Sequence, residues 1–273
     1  FSNILSFLPK IYVVSKRLIC KNWYVILTST FTKKILNILN EPCHICYSKY
    51  FAGNFNGIAK INDKLYCYNY YDKYIDIINK KGKLIDKYEV DECIDYITGY
   101  GKIMVYHKNN EITISDSNGK RNIKCHNYKI LDMATDGKHI YILSVNEITK
   151  YDINGEHIKK WTINNFFGDE IIVNKDEIYV SGSCNECIHV YSNDGELIRK
   201  IYHYESLLYF DISGNYIYAI CVDSNMIKIF TKEGKMIYCV KHNHENLDKV
   251  FVIDDIMCIV KNNNVEIYKI IFY

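Results

Sequence analysis

Residues 207–240 read LLYFDISGNYIYAICVDSNMIKIFTKEGKMIYCV. Four short apolar runs, 207–212, 216–222, 226–231 and 235–240, are cut by the turn signals Ser213-Gly214-Asn215, Asp223-Ser224-Asn225 and Lys232-Glu233-Gly234. Runs of β-branched and aromatic residues bounded by Gly, Asn and Asp form strands, and four in succession form an antiparallel meander. Successive strand side chains face opposite ways, so Met226, Lys228 and Phe230 share one face while Ile227 and Ile229 share the other. Both faces carry apolar side chains. A lone meander cannot cover them, so this one needs neighbours on each side.

The neighbours lie along the chain. The third turn recurs as Lys81-Gly82-Lys83, Asn118-Gly119-Lys120, Asn154-Gly155-Glu156, Asp194-Gly195-Glu196 and Glu233-Gly234-Lys235, with successive glycines 37, 36, 40 and 39 residues apart. The run before each glycine repeats as well: Ile75–Ile78, Ile112–Ile114, Ile148–Tyr151, Ile188–Tyr191 and Ile227–Phe230. A period near 40 with four strands per unit is the signature of a β-propeller, and five in-phase repeats favour it over a sandwich. Residues 249–253, 256–260 and 265–271 form a sixth unit that lacks its fourth strand. A spare strand, Cys43–Phe51, precedes the first unit. Pairing it with 265–271 closes the ring and leaves no open sheet edge. The expected fold is therefore mainly β: a six-bladed propeller over 43–273, preceded by a small helical module over 1–42.

Composition narrows the function classes. The chain has 273 residues, a formal charge of +2 and a pI near 7.9, which points to no nucleic-acid partner. No apolar run reaches the length of a membrane span. Eleven cysteines, an odd number scattered singly through the strands, suggest buried free thiols in a reducing compartment such as the cytoplasm. Two CxxC pairs, Cys43/Cys46 and Cys184/Cys187, lie too far apart in sequence to read as a four-ligand zinc site. Heavy use of Ile, Lys, Asn and Tyr follows AT-rich codons, a bias met in protists and in the large DNA viruses that infect them.

The first 42 residues carry a helical rhythm instead. Val14, Leu18, Ile19, Trp23 and Ile26/Leu27 recur at three- and four-residue steps, and a further helix runs from Ser29/Thr30 towards Leu39 before Pro42 stops it. Ile4-Leu5-Ser6-Phe7-Leu8-Pro9, followed eleven residues after the proline by Cys20-Lys21-Asn22-Trp23, resembles the F-box, as does the closing Phe31-Thr32-Lys33-Lys34-Ile35. The resemblance implies a substrate-recruiting subunit of an SCF-type ubiquitin ligase. Leu8, Pro9, Leu18, Ile19 and Cys20 would dock the ligase adaptor, and the propeller would hold a target protein. The repeats themselves resemble NHL or WD-type propellers in architecture only, for the Trp-Asp dipeptide is absent: Tyr151-Asp152 and Tyr191-Ser192 stand at its place.

Blade topology assigns one face to the loops between second and third strands and to the links between blades. Tyr71, His107, Tyr128, Phe166, Phe167, Tyr204, Asn225 and His242 fall there, side chains suited to contact area and hydrogen bonding with a target. Nucleophile elbow, P-loop, dinucleotide fingerprint and HExxH are all missing, Gly99-Tyr100-Gly101 reads as a turn rather than a phosphate cradle, and no cofactor is expected. The competing reading is a propeller enzyme with a central metal held by His126, His203, His242 and His244. A propeller scaffold without any ligase link is the third.

Overall fold

The computed structural model describes residues 43–51, 57–68, 73–90, 94–108, 111–124, 129–163, 168–182, 186–203, 205, 207–221, 224, 226–241, 247–261 and 264–272. The helical module expected over 1–42 lies outside them. Twenty-four strands form six four-stranded sheets. After β1 (Cys43–Phe51), blade 1 comprises β2 (Gly57–Ile61), β3 (Lys64–Tyr68), β4 (Tyr74–Asn79) and β5 (Leu84–Glu89). Blade 2 comprises β6 (Tyr96–Tyr100), β7 (Ile103–Lys108), β8 (Glu111–Asp116) and β9 (Gly119–Lys124). Blade 3 comprises β10 (Asp132–Thr135), β11 (His139–Ser144), β12 (Glu147–Asp152) and β13 (His157–Thr162). Blade 4 comprises β14 (Glu170–Asn174), β15 (Glu177–Ser181), β16 (Cys187–Ser192) and β17 (Leu197–Tyr202). Blade 5 comprises β18 (Leu207–Ser213), β19 (Tyr216–Cys221), β20 (Met226–Thr231) and β21 (Met236–Lys241). Blade 6 comprises β22 (Leu247–Ile253), β23 (Ile256–Lys261) and β24 (Asn264–Phe272). Its sheet runs β1-β24-β23-β22, so the spare N-terminal strand supplies the missing fourth one.

Each blade is sandwiched between two others, which is why its middle strands are apolar on both faces. Ile140, Tyr141 and Leu143 of β11 are fully buried, as are Ile178, Tyr179 and Val180 of β15. Apolar clusters fill the seams. Tyr141, Leu143 and Ile148 of blade 3 pack on Ile171, Ile178 and Val180 of blade 4. Ile188, Val190 and Ile201 of blade 4 pack on Phe210, Ile217 and Phe230 of blade 5. Ile58, Leu65 and Cys67 of blade 1 meet Cys258, Val260 and Ile267 of blade 6 across the closure. Each such side chain contributes about 1.5–3 kcal/mol by leaving water. The outermost strands differ: β5 and β13 are exposed along most of their length.

A recurrent cap sets the hairpin between third and fourth strands. Asn79 Oδ1 accepts the N–H groups of Lys81 and Lys83. Asp152 Oδ1 does the same for Asn154 and Glu156, and Ser192 Oγ for Asp194 and Glu196. The glycine three residues on takes positive φ: 69° at Gly82, 94° at Gly155 and 80° at Gly195. This backbone geometry suits glycine, which has no Cβ to clash. The periodic glycine of the sequence is thus one half of a two-residue device.

Two local expectations change. Gly99 and Tyr100, read as part of a turn, end β6, and only Gly101 turns, with φ 62°. A Cβ on Gly99 would lie 2.5 Å from the Ile103 carbonyl oxygen and 2.9 Å from Ile61 Cδ1, so the glycine permits a close approach of blades 1 and 2. His107, read as the start of a loop, lies inside β7, which runs on to Lys108. Among the described residues no helix is long and apolar enough to cross a membrane.

Candidate functional site

The six innermost strands, β2, β6, β10, β14, β18 and β22, surround the axis and present one backbone edge each to it. Such an edge leaves N–H groups that must find acceptors. Three acids supply them, each reaching to the next blade. Asp132 Oδ2 accepts from Ile171 N–H at 2.7 Å, Glu170 Oε2 from Phe210 N–H at 2.9 Å, and Asp211 Oδ2 from Val252 N–H at 2.6 Å. All three are buried, at 3, 9 and 4 % exposure.

Strand register places the polar residues of the axis on one level. Gly57, Tyr96, Asp132, Glu170, Tyr209 and Lys249 stand opposite Tyr68, His107, Leu143, Ser181, Ile220 and Val260 in their respective blades. At the glycine vertex the Tyr68 ring fills the space, its Cζ 2.1 Å from where a Cβ would sit, and its hydroxyl donates to the Asp95 carbonyl at 2.9 Å. Lys249 Nζ lies 5.0 Å from the centroids of both the Tyr96 and the Tyr209 ring, a double cation–π contact. Three residues along β2 from Gly57, Lys60 of blade 1 reaches to blade 5. It donates to both oxygens of Asp211, at 2.6 Å to Oδ1, and to the carbonyls of Ile212 and Val252 at 3.4 and 3.2 Å.

Lys60, Tyr96, Asp132, Glu170, Asp211 and Lys249 line a cavity of ≈ 260 Å³. Burial pushes the Asp132 carboxyl up to about 6, against the Tyr96 hydrogen bond and the Lys249 charge, which pull it down. Burial first, then the Asp132 charge, holds Glu170 well above the usual carboxylate range. Burial likewise raises the Tyr96 hydroxyl well above its ordinary value. Two neighbouring acids in an apolar ring thus favour holding a proton, and a cation stands across the cavity from them.

Sequence reasoning did not single out Lys60, Asp132, Glu170, Asp211 or Lys249. A signal existed: Tyr96, Asp132, Glu170, Tyr209 and Lys249 are spaced by 36, 38, 39 and 40 residues, the period of the turn glycines. Of the target-face residues, His107 is described. It is 7 % exposed, and burial lowers its pKa. Tyr71, Tyr128, Phe166, Phe167, Tyr204, Asn225 and His242 lie outside the described residues, as do Leu8, Pro9, Leu18, Ile19 and Cys20. Of the four histidines considered as metal ligands, His203 alone is described. It is 3 % exposed, neither ring nitrogen has a partner, and burial lowers its pKa to about 4. Among the described residues no three His, Cys, Asp or Glu side chains are grouped to hold a metal ion. Cys187, the described half of the second CxxC, is a buried free thiol.

No protein-family model matches the sequence, and no curated protein does. Solved structures do match in fold. The WD40 β-propeller domain of Doa1 is 12 % identical, with a TM-score of 0.61 over 82 % of this chain and 97 % of that one. The Cps50 (Swd1) β-propeller domain of Myceliophteria thermophila is 10 % identical, with a TM-score of 0.62 over 83 % of this chain and 99 % of that one. A chain of the Mitotic Checkpoint Complex is 10 % identical, with a TM-score of 0.60 over 79 % of this chain and 74 % of that one. At such identity the likeness concerns the fold, and the fold of this chain is a six-bladed β-propeller with WD40 propellers as its structural neighbours.

Proposed function

We propose that the protein is a non-catalytic interaction subunit working in the cytoplasm, in which the propeller holds a target protein and residues 1–42 dock the adaptor of an SCF-type ubiquitin ligase. The observation that carries the reading is the division of the chain. Among the described residues the strands lie between Cys43 and Phe272, and the sequence ahead of them carries the Leu8-Pro9 and Cys20-Lys21-Asn22-Trp23 pattern at F-box spacing. The propeller architecture supports it as well, since one chain of this fold comes from a structure named as a complex, the Mitotic Checkpoint Complex. The AT-rich residue bias fits an adaptor encoded by a protist or by a large DNA virus, which in the second case would work on the host's ligase.

Pull-down of the purified ligase adaptor tests the assignment directly. The wild-type chain is expected to retain it. The Leu8→Ala, Pro9→Ala double variant is expected to bind about ten- to a hundredfold more weakly, the loss matching about 1.5–3 kcal/mol of buried apolar surface. Equal retention of both proteins refutes the docking role of these residues.

A further inference from the structure

The axial cavity holds a carboxyl and an ammonium that share no ion pair with each other, nor with any other described side chain. Asp132 spends both oxygens on backbone N–H groups, those of Met133 and Ile171. Asp211 and Lys60 neutralise each other. Glu170 is different. It is 9 % exposed, its Oε2 accepts from Phe210 N–H, and Oε1 accepts nothing among the described residues. Lys249 is its counterpart of opposite sign. Its ammonium rests between the Tyr96 and Tyr209 rings and has no carboxylate within 4.0 Å among the described residues. The two side chains occupy the same register level, on blades 4 and 6, and both line the ≈ 260 Å³ cavity. They are near enough to feel each other's charge and too far apart to pair.

We infer that this cavity binds a small zwitterion of the amino-acid type, with its carboxylate on the Lys249 ammonium and its own ammonium on Glu170 Oε1. The sign pattern selects the class. A simple anion would answer Lys249 and leave Glu170 Oε1 unmatched. A simple cation would meet Glu170 but also Lys249. A molecule carrying both charges answers both groups, and a buried polar pair rejects analogues that leave one member unmatched. The volume of ≈ 260 Å³ has room for a small molecule, since one water takes up about 30 Å³ of liquid. Binding is linked to a proton. Burial raises the Glu170 carboxyl, so an arriving ammonium displaces a proton from it. This site is separate from the proposed ligase docking, and its failure would leave that reading untouched.

The test uses the full chain with three probes that differ only in charge spacing: glycine, β-alanine and γ-aminobutyrate. Acetate and methylamine serve as single-charge controls. Isothermal titration at millimolar probe concentration is expected to show binding of at least one zwitterion, at least about tenfold tighter than either control. Repeating it in buffers of different ionisation enthalpy is expected to reveal proton release. Glu170→Gln, which keeps an acceptor for Phe210 N–H, and Lys249→Met are each expected to weaken binding about tenfold or more, with proton release lost in the Glu170 variant. Lys249→Arg keeps the charge and is expected to retain binding, which separates a lost contact from a misfolded ring. Absence of binding by all three zwitterions overturns the inference. So does a control that binds as tightly, or wild-type affinity in both neutral variants.

Discussion

Burial raises both the Asp132 and the Glu170 carboxyl, and the Asp132 charge raises Glu170 further. For a group whose folded pKa is raised, stability is fully present below the unfolded pKa and is lost as pH rises through the folded one. Asp132, at about 6 in the fold, therefore costs about 2–3 kcal/mol once the pH passes 6. Glu170→Gln removes the corresponding cost at its own position and is expected to raise Tm more at pH 8 than at pH 5; an equal shift at both would deny the raised carboxyl. The buried histidines work the other way. Burial lowers His189 and His203 to about 4, so their stability is present above 6.5 and lost as pH falls from there towards 4. His203 also buries two unpartnered nitrogens, each costing about 1–3 kcal/mol. His203→Leu is expected to match or exceed wild-type stability at pH 7 and to flatten the acid side of the stability curve, as read by denaturant melts from pH 7 to 4. These residues were the least legible in the sequence. A lysine or acid inside an apolar run, such as Lys60 in GIAKI or Asp211 in LLYFDIS, looks like a solvated strand position until the ring places it at the axis. The clue was periodic, and it was masked because the chemistry at that position changes from blade to blade: Gly, Tyr, Asp, Glu, Tyr, Lys.

Strands were legible because their boundaries are chemical. Asn79, Asp152 and Ser192 cap the hairpin that the following glycine turns, so type and spacing recur together and the period can be counted. Asn79→Ala removes two accepted N–H bonds from the blade 1 hairpin and is expected to cost about 1 kcal/mol by denaturant melting. Strand ends blurred where no glycine marked them. β7 runs through His107 to Lys108, because the burial of Tyr106 and His107 continues the ladder past the point where polarity suggested a loop. Gly99 looked like half of a turn for the opposite reason: a glycine inside a strand carries no local sign of the neighbour that requires it. Gly99→Ala forces a Cβ against the Ile103 carbonyl and Ile61, and an expected loss of about 1–3 kcal/mol is readable in the same melts. Closure by β1 followed from counting alone, three strands at one end and a spare at the other. Deleting residues 1–42 is expected to leave the cooperative melt intact. Deleting through Phe51 bares the edge of β24 and is expected to produce oligomers on size-exclusion chromatography. A monomeric, equally stable product of the longer deletion would deny β1 its closing role.

At the scale of the whole molecule, a target held as proposed would sit on one of the two faces of the ring. Antiparallel blades put two sets of loops at opposite ends of the axis. The tight hairpins joining first to second strands, at Asn62, Gly101, Gly137, Lys175, Gly214 and Asp254, share one face. They are short, turned by Gly, Asn, Asp or, at one of them, Lys, and sparse in large side chains; Tyr100, 57 % exposed and stacked over Gly137, is the main exception. The loops joining second to third strands and blade to blade share the other face. The links between blades and the second-to-third loops of blades 1, 4 and 5 are longer, and this set contains Tyr71, Phe166, Phe167 and Tyr204. Anchors of a protein interface are large aromatic side chains set among polar ones, which favours this set as the target face. Replacing those four residues by Ala is expected to weaken target capture about tenfold or more while leaving adaptor retention unchanged, and Tyr100→Ala is expected to alter neither. If instead Tyr100→Ala abolishes capture and the fourfold variant does not, the target occupies the hairpin face and the assignment of faces is reversed.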